Sequence, residues 1–350
     1  MPLPSIRTAI VGYGVSGRVF HAPLVTANES YSLKYIVTSD SERRRHATEH
    51  NPGVDVLTDF DALITSIDEG SSLDLVVLGT PPGSHRAQAE ALLKRGISVV
   101  VDKPFAPSAH DAEALIELSN QTNAVLTVFQ NRRWDGDFLT LRKLIDDGTL
   151  GEIQTFESRF EWLSPRSSHG GWKDTTSVTD GGGILLDVGS HLVDQAVQLF
   201  GPINDSYAEI VRHSKYPGAD EDSFVSIQHE SGVRTRLWMN SRAVDDAPRF
   251  HVVGSQGTFT SFGKDPQESQ LDSGVMPSDP AYGYFSDAGW ANISLAGERV
   301  HPAAERGNYP QFYELLSHSL HGVGPVPIDP SEPGAVLRFL ESLHQRFPLQ

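Results

Sequence analysis

The feature that most constrains this 350-residue chain is a close spacing of glycines just after its first apolar run. Residues 6–12, IRTAIVG, read as a strand, ending in the apolar run Ala9-Ile10-Val11. The chain then reads Gly12-Tyr13-Gly14-Val15-Ser16-Gly17, the spacing G-x-G-x-x-G, and runs into a helix-compatible stretch at 15–28. In isolation that spacing is more often a plain turn than a binding loop. Its surroundings change the balance. Apolar runs at 32–39, 73–80, 98–103 and 124–130, with a weaker one at 54–59, alternate with helical patterns at 41–50, 59–67, 84–95 and 108–122. Strand–helix alternation at this pitch predicts a doubly wound parallel sheet, the Rossmann arrangement of an α/β fold. There Gly12 serves the tight turn, Gly14 lets backbone approach a pyrophosphate, and Gly17 lets helix pack on strand. The helix start adds amide N–H groups and a positive dipole end for the phosphates. The expected cradle is Gly12, Tyr13, Gly14, Val15, Ser16 and Gly17, and the expected cofactor is NAD or NADP.

Choice between the two dinucleotides turns on the end of the second strand. An acidic residue there binds ribose hydroxyls, whereas arginine accommodates a 2′-phosphate. This chain has Ser39-Asp40 followed by Arg43-Arg44-Arg45. Asp40 favours NAD, while Ser39 with Arg43 favours NADP. The sequence leaves both open, and a solvated helix face also accounts for the arginines.

Beyond a helical pattern at 134–147 the texture changes. Strand-like segments at 151–164, 205–214, 222–230, 233–242, 249–254 and 257–263 follow one another, which predicts a large, mostly antiparallel open sheet. One helix, 184–200, interrupts them, and helices at 310–322 and 330–346 close the chain. Residues 264–308, rich in Gly, Pro, Ser and Asp, read as a long loop. The expected division is a dinucleotide-binding domain at 1–130 and an α/β domain for substrate binding and oligomerisation at 131–350. A formal net charge of −17 opposes nucleic-acid binding. With no cysteine, disulfides and thiolate chemistry are excluded. No apolar run is long enough for a membrane span and no signal-peptide core precedes the first strand, so the expectation is a cytoplasmic protein.

Three other stretches carry chemical groups. In 79–86, GTPPGSHR, a strand end brings Thr80 and Pro81, with His85 opening the next helix. In 99–105, VVVDKPF, Asp102 and Lys103 fall at a strand's carboxyl end, where open α/β sheets bind ligands. In 180–201, DGGGILLDVGSHLVDQAVQLFG, Asp187 and His191 are four residues apart and share a helix face, with Asp194 and Gln195 beyond. A carboxylate and an imidazole so placed suit general acid–base work on a hydroxyl. A surface pair that merely stabilises the helix fits too. A metal at Asp187, His191 and Asp194 lacks the ligand spacing that would support it.

Together GYGVSGRVFHAPL (12–24), TPPGSH (80–85), DKP (102–104), QNRRWDGDFLT (130–140) and DVGSHLVDQ (187–195) resemble the glucose–fructose oxidoreductase, inositol dehydrogenase and rhizopine catabolism (Gfo/Idh/MocA) family over nearly the whole chain. FHAPL and QNRRWD are most similar to the branch containing scyllo-inositol dehydrogenases. The resemblance implies Lys103, Asp187 and His191 as catalytic groups. It departs from the family at Asp102, where Glu is usual, and at Ser39-Asp40. On this reading Lys103, Asn131 and Arg132 lie near the nicotinamide, with Asp102, Thr80, Pro81 and His85 also on the cofactor. Lys103, Arg132, Trp172, Asp187 and His191 contact a sugar or cyclitol. His169 and Trp162 are further candidates for the sugar's apolar face, although Trp162 suits a core position equally well. The assembly implied is a homodimer or homotetramer. Two alternatives stay open: a non-catalytic dinucleotide sensor of the same fold, and a dehydrogenase of non-sugar substrates.

Overall fold

The apolar runs of the first half become strands β1 (Ile6–Val11), β2 (Tyr31–Val37), β3 (Asp55–Leu57), β4 (Leu75–Leu78), β5 (Ser98–Val101) and β6 (Leu126–Val128). They form a parallel sheet in the order β3-β2-β1-β4-β5-β6, so strand order reverses between β1 and β4. β4 and β5 are buried along their whole length, as continuous Val/Leu runs between helical layers should be. The computed structural model describes residues 4–164, 176–213, 218–245, 247–287 and 289–350. The chain divides into two units: Met1–Asn131 with Gln267–Tyr282 and Asn308–Gly334, and Arg132–Pro266 with Gly283–Gly307 and Ala335–Gln350.

Helices of the first unit start where the sequence offers a cap. Asp40, Asp59 and Ser108 accept from the backbone N–H three residues on, opening Ser41–His50, Phe60–Asp68 and Ala109–Thr122. The stretch after the glycines differs from the single helix expected. It is a wide π turn, Ser16–His21, followed by a short α-helix, Ala22–Thr26. Pro23 explains the change: it has no N–H to donate four residues back, so the preceding turn widens and Ala22 donates to Gly17 instead. The late segment 308–334 completes this unit's core. Tyr313, fully buried, places its hydroxyl 2.7 Å from Nδ1 of His21, and its carbonyl accepts from Tyr31 at 2.6 Å. Phe129 meets Phe312 edge to face at 4.9 Å.

In the second unit β7 (Ile153–Glu161), β8 (Ile203–Val211), β9 (Asp222–His229), β10 (Arg234–Asn240), β11 (Phe250–Gly254), β12 (Gly257–Ser261), β13 (Ala291–Leu295) and β14 (Glu298–Val300) form one sheet. Its order is β14-β13-β12-β11-β7-β10-β9-β8, antiparallel except for the β10–β7 pair. Alternate residues Phe156, Leu237, Met239, Val225, Ile227, Val252 and Phe259 line its buried face. The helix Gly189–Phe200 packs there through Leu192, Ala196 and Phe200. Residues 264–308 are not the unstructured loop expected. They hold a helix, Gln267–Asp272, and the β13–β14 hairpin. The hairpin's cue is alternating Ala291 and Ile293 before Ala296-Gly297, both at positive φ, which is the turn that joins two twisted strands closely. The expected helix 184–200 is likewise interrupted, with Val188 separating Ile184–Asp187 from Gly189–Phe200.

Candidate functional site

Parallel strands place their carboxyl ends along one edge, and the first unit's candidate residues gather there. At the β1/β4 reversal Gly12 has φ +93°, and a Cβ on it would sit 2.5 Å from the Gly79 carbonyl oxygen. A Cβ on Gly17 would overlap the Gly12 carbonyl oxygen. Both glycines are therefore required by the protein's own packing. Gly14 is different: a Cβ there would meet only Nη1 of Arg43, at an ordinary 3.6 Å. No contact among the described residues demands a glycine at that position. Ser16, in the same loop, buries a hydroxyl oxygen that has no hydrogen-bond partner among the described residues. A backbone left bare and an unmet hydroxyl fit a pyrophosphate; the loop has the donors and the room. Val15 is exposed, whereas Tyr13 turns inward and accepts from Asn51 through its hydroxyl at 3.0 Å, so only Tyr13's backbone faces the loop.

Gly79, which the sequence reading did not single out, completes this turn, since a Cβ on it would lie 2.9 Å from Ser16 Oγ. Its cue is a glycine directly ending a fully apolar strand.

At the end of β2 the carboxylate of Asp40 caps the next helix by accepting from Arg43 N at 2.9 Å. That hydrogen bond, with the nearby arginines, holds its pKa below the usual carboxylate range. The Ser39 carbonyl accepts from Arg44 at 2.8 Å. Asp40 and Arg43 differ in what remains for a ligand: Asp40 is occupied by its helix, while the Arg43 guanidinium reaches over the glycine loop.

Thr80 gives its hydroxyl proton to Gln88 at 2.7 Å, beside Pro81. His85 is fully buried, with Nε2 2.8 Å from the Thr80 carbonyl and Nδ1 3.1 Å from that of Pro104. Burial lowers its pKa, so the neutral ring donates to one of the two. His85 thus braces the ends of β4 and β5 from within, and both ring nitrogens face backbone. Asp102 and Lys103 lie half-buried at the end of β5, where the Asp102 carboxylate accepts from Lys103 N at 2.8 Å. Asn131 is buried just beyond β6.

The second unit holds the other candidates. Asp187, the last residue of Ile184–Asp187, is half-buried, and His191, in the first turn of Gly189–Phe200, is 5% exposed. Gly183, at φ +103°, leaves room for Asp220, whose carboxylate would overlap a Cβ there. Asp220 accepts from Leu185 N and Ser223 Oγ, both at 2.8 Å, and so anchors the helical turn that carries Asp187. Of the glycine run at 181–183, Gly183 serves that internal approach, while a Cβ on Gly182 would overlap the Thr176 carbonyl oxygen.

One turn past His191 a buried polar network holds the helix. Asp194 accepts two hydrogen bonds from Arg133, at 2.7 and 2.6 Å. Gln195 accepts from Arg249 at 2.9 Å and donates to the Arg132 carbonyl at 2.8 Å. Arg249 also donates to Ser158 Oγ and lies 3.6 Å from Asp137. Arg132 pairs with Asp135 at 3.3 Å, its guanidinium 4.7 Å from the Phe160 ring centre. The cue at Asp194-Gln195 was local, but their partners are distant in sequence. Trp172 and His169 lie outside the described residues.

Comparison with known proteins follows this division. Residues 6–130 match the model of an oxidoreductase family with an NAD-binding Rossmann fold. Residues 138–260 match the GFO/IDH/MocA C-terminal domain. An uncharacterised oxidoreductase of Schizosaccharomyces pombe is 34% identical, with 98% of this chain and 97% of that one covered. The scyllo-inositol 2-dehydrogenase (NADP(+)) of Bacillus subtilis is 28% identical over 97% of this chain and 92% of its own. The crystal structure of an oxidoreductase from Bacillus cereus superposes with a TM-score of 0.84 at 26% identity, covering 97% of both chains. No helix among the described residues is long and apolar enough to cross a membrane.

Proposed function

The chain belongs to the Gfo/Idh/MocA family of NAD-binding oxidoreductases, and on that premise we propose that it interconverts a secondary alcohol of a sugar or cyclitol with the corresponding ketone. The observation that carries this reading is half-buried Asp187, ending one short helix anchored by Asp220, with buried His191 four residues on, in the first turn of the next helix, which Gln195 ties to the Arg132 carbonyl. A surface pair that only stabilised a helix would not be sheltered in this way. The dinucleotide, when bound, supplies the hydride acceptor or donor.

The chain's own groups manage the oxygen and its proton. His191 takes the proton from the hydroxyl as the alcohol is oxidised and returns it in reduction. Lys103 stabilises negative charge developing on the same oxygen. Asp187 orients His191 or receives a neighbouring hydroxyl. In this reading segment 1–130 serves the dinucleotide, with 267–282 and 308–334 completing its unit, and the rest of 131–350 serves substrate and self-association, as a homodimer or homotetramer. In support of the latter, the sheet face away from the helix Gly189–Phe200 carries Arg159 stacked 3.8 Å over Trp238, with Phe224 alongside.

Within this reading NADP is the favoured dinucleotide. The support is the Arg43 guanidinium 3.6 Å from the Gly14 Cβ position and the commitment of Asp40 to capping. The Bacillus subtilis relative named for NADP(+) is in line with it. A panel of cyclic polyols, sugars and non-sugar alcohols, run with each dinucleotide and followed by absorbance of the reduced nicotinamide, tests the whole reading. Turnover of a polyol or sugar is expected. Tight dinucleotide binding without turnover of any alcohol identifies a sensor, and turnover confined to non-sugar alcohols moves the substrate class.

A further inference from the structure

On the buried face of the second sheet, the helix Gly189–Phe200 and strand β7 can be set in register from their contacts. The Phe200 ring meets the Phe156 ring at 5.2 Å between centroids. Five residues earlier on the helix, Gln195 shares Arg249 with Ser158, two residues later on the strand. Helix and strand therefore run in opposite directions. At about 1.5 Å per helical residue and about 3.3 Å per strand residue, the nine residues back from Phe200 to His191 match about four strand residues. That brings His191 level with Phe160. The next side chain on the same face is Trp162.

Trp162 follows the last residue of β7, yet its N–H still donates to the Asn240 carbonyl at 2.9 Å, so the alternation of faces continues through it. Leu163, pointing the other way, is 58% exposed. Trp162 shares the inner face with Phe156 and Phe160 but is half-exposed, unlike the buried Trp134 and Trp290. Lys264, itself exposed, holds its Nζ 5.3 Å from the centre of the Trp162 ring. An indole open to solvent one step beyond the level of His191, with an ammonium group at its face, is a poor core element. It is well suited to a ring that is apolar on its C–H face and polar at its rim.

We propose that Trp162 and Lys264 form a specificity-determining wall beside His191, Trp162 taking the C–H face of a cyclic polyol and Lys264 donating to one of its rim hydroxyls. This rests on the alcohol-oxidising reading above. A flat ring presents such a face and an open-chain alditol does not, so the wall selects cyclic substrates.

The test uses the full-length protein with scyllo-inositol and an open-chain hexitol as probes. Trp162→Ala is expected to raise KM for the cyclic probe about tenfold, with kcat and dinucleotide affinity unchanged, because stacking is felt equally before and during reaction. Its KM for the hexitol stays near wild type. Trp162→Phe keeps most of the cyclic preference but loses the change in tryptophan fluorescence that scyllo-inositol produces in the wild type. Lys264→Met raises KM for the cyclic probe without altering kcat. A wild-type KM for scyllo-inositol in folded Trp162→Ala overturns this proposal alone, as does an unaltered fluorescence response in Trp162→Phe. Absence of turnover of every polyol by the wild type overturns the functional reading and this one with it.

Discussion

Gly12 and Gly14 stand two residues apart in one loop, yet replacing each by alanine should have opposite consequences. At Gly12 the new Cβ meets the Gly79 carbonyl oxygen at 2.5 Å, and the backbone is at φ +93°. Left-handed backbone costs an L-residue about 1–2 kcal/mol and overpacking about 1–3 kcal/mol, so Gly12→Ala should destabilise by roughly 2–5 kcal/mol. At Gly14 the nearest neighbour is Arg43 Nη1 at 3.6 Å, ordinary contact. Gly14→Ala should fold as well as wild type, or gain about 0.4–1 kcal/mol from a less flexible unfolded chain. Its effect falls on the ligand. Losing one charge-assisted hydrogen bond to a phosphate, worth about 1.5–3 kcal/mol, raises the dinucleotide Kd by about 10- to 150-fold. Urea unfolding gives the first quantity and titration of reduced-nicotinamide fluorescence the second. Unchanged affinity of Gly14→Ala for both dinucleotides would refute the cradle. Wild-type stability of Gly12→Ala would refute the packing argument.

His191→Ala should lower kcat by at least about 10²-fold while dinucleotide binding persists, the usual weight of a general acid–base group. Steady-state kinetics near wild type on the folded variant would remove His191 from the mechanism. Arg43→Ala should weaken NADP about tenfold or more and leave NAD nearly unchanged, since only one of them offers a 2′-phosphate; equal losses for both would place Arg43 elsewhere. Arg133→Met removes the guanidinium that donates two hydrogen bonds to the buried Asp194 carboxylate and should destabilise by about 3–5 kcal/mol. Arg133→Met/Asp194→Leu should recover much of that loss in chemical denaturation, and a double variant as unstable as the single one contradicts the pairing. Burial lowers the His21 pKa from 6.5 to about 4. The unfolded chain therefore binds a proton between those values that the folded chain does not. The resulting stability is present above about pH 6.5 and is lost as pH falls towards 4, by roughly 3 kcal/mol in total. His21→Gln should flatten that part of the stability–pH curve, and an unchanged slope would show that His21 titrates normally.

The parallel sheet was legible because its signals are local. An apolar run buried on both faces, a capping Asp or Ser and a glycine turn each occupy a few consecutive residues, and Asp40, Asp59 and Ser108 cap where they stand in sequence. The π turn was hidden because Pro23 acts on the residues before it, and a helical pattern does not distinguish four-residue from five-residue hydrogen bonding. The β13–β14 hairpin was obscured by its Gly- and Ser-rich surroundings, although Ala296-Gly297 marks its turn. At the candidate site, Asp187 and His191 were visible as an i,i+4 spacing, but the break at Val188 that puts them on two helices was not. What fixes them was not: Asp220 and Arg249 come from other strands and loops, and only folding brings them to Gly183 and Gln195.

The packing of Tyr313 against His21 and Tyr31 bears on how the protein is made. The dinucleotide-binding segment leaves the ribosome well before the helix Pro310–Leu320, and its core stays incomplete until that helix has emerged. During most of translation His21, Tyr31 and Phe129 lack their aromatic cover, and the contact that closes them spans nearly the full length of the chain. Contacts so distant in sequence slow folding. A fragment ending near residue 130 would carry every glycine of the loop and still expose that aromatic patch, so proteolysis and aggregation of nascent chains should persist until residues 310–320 have emerged.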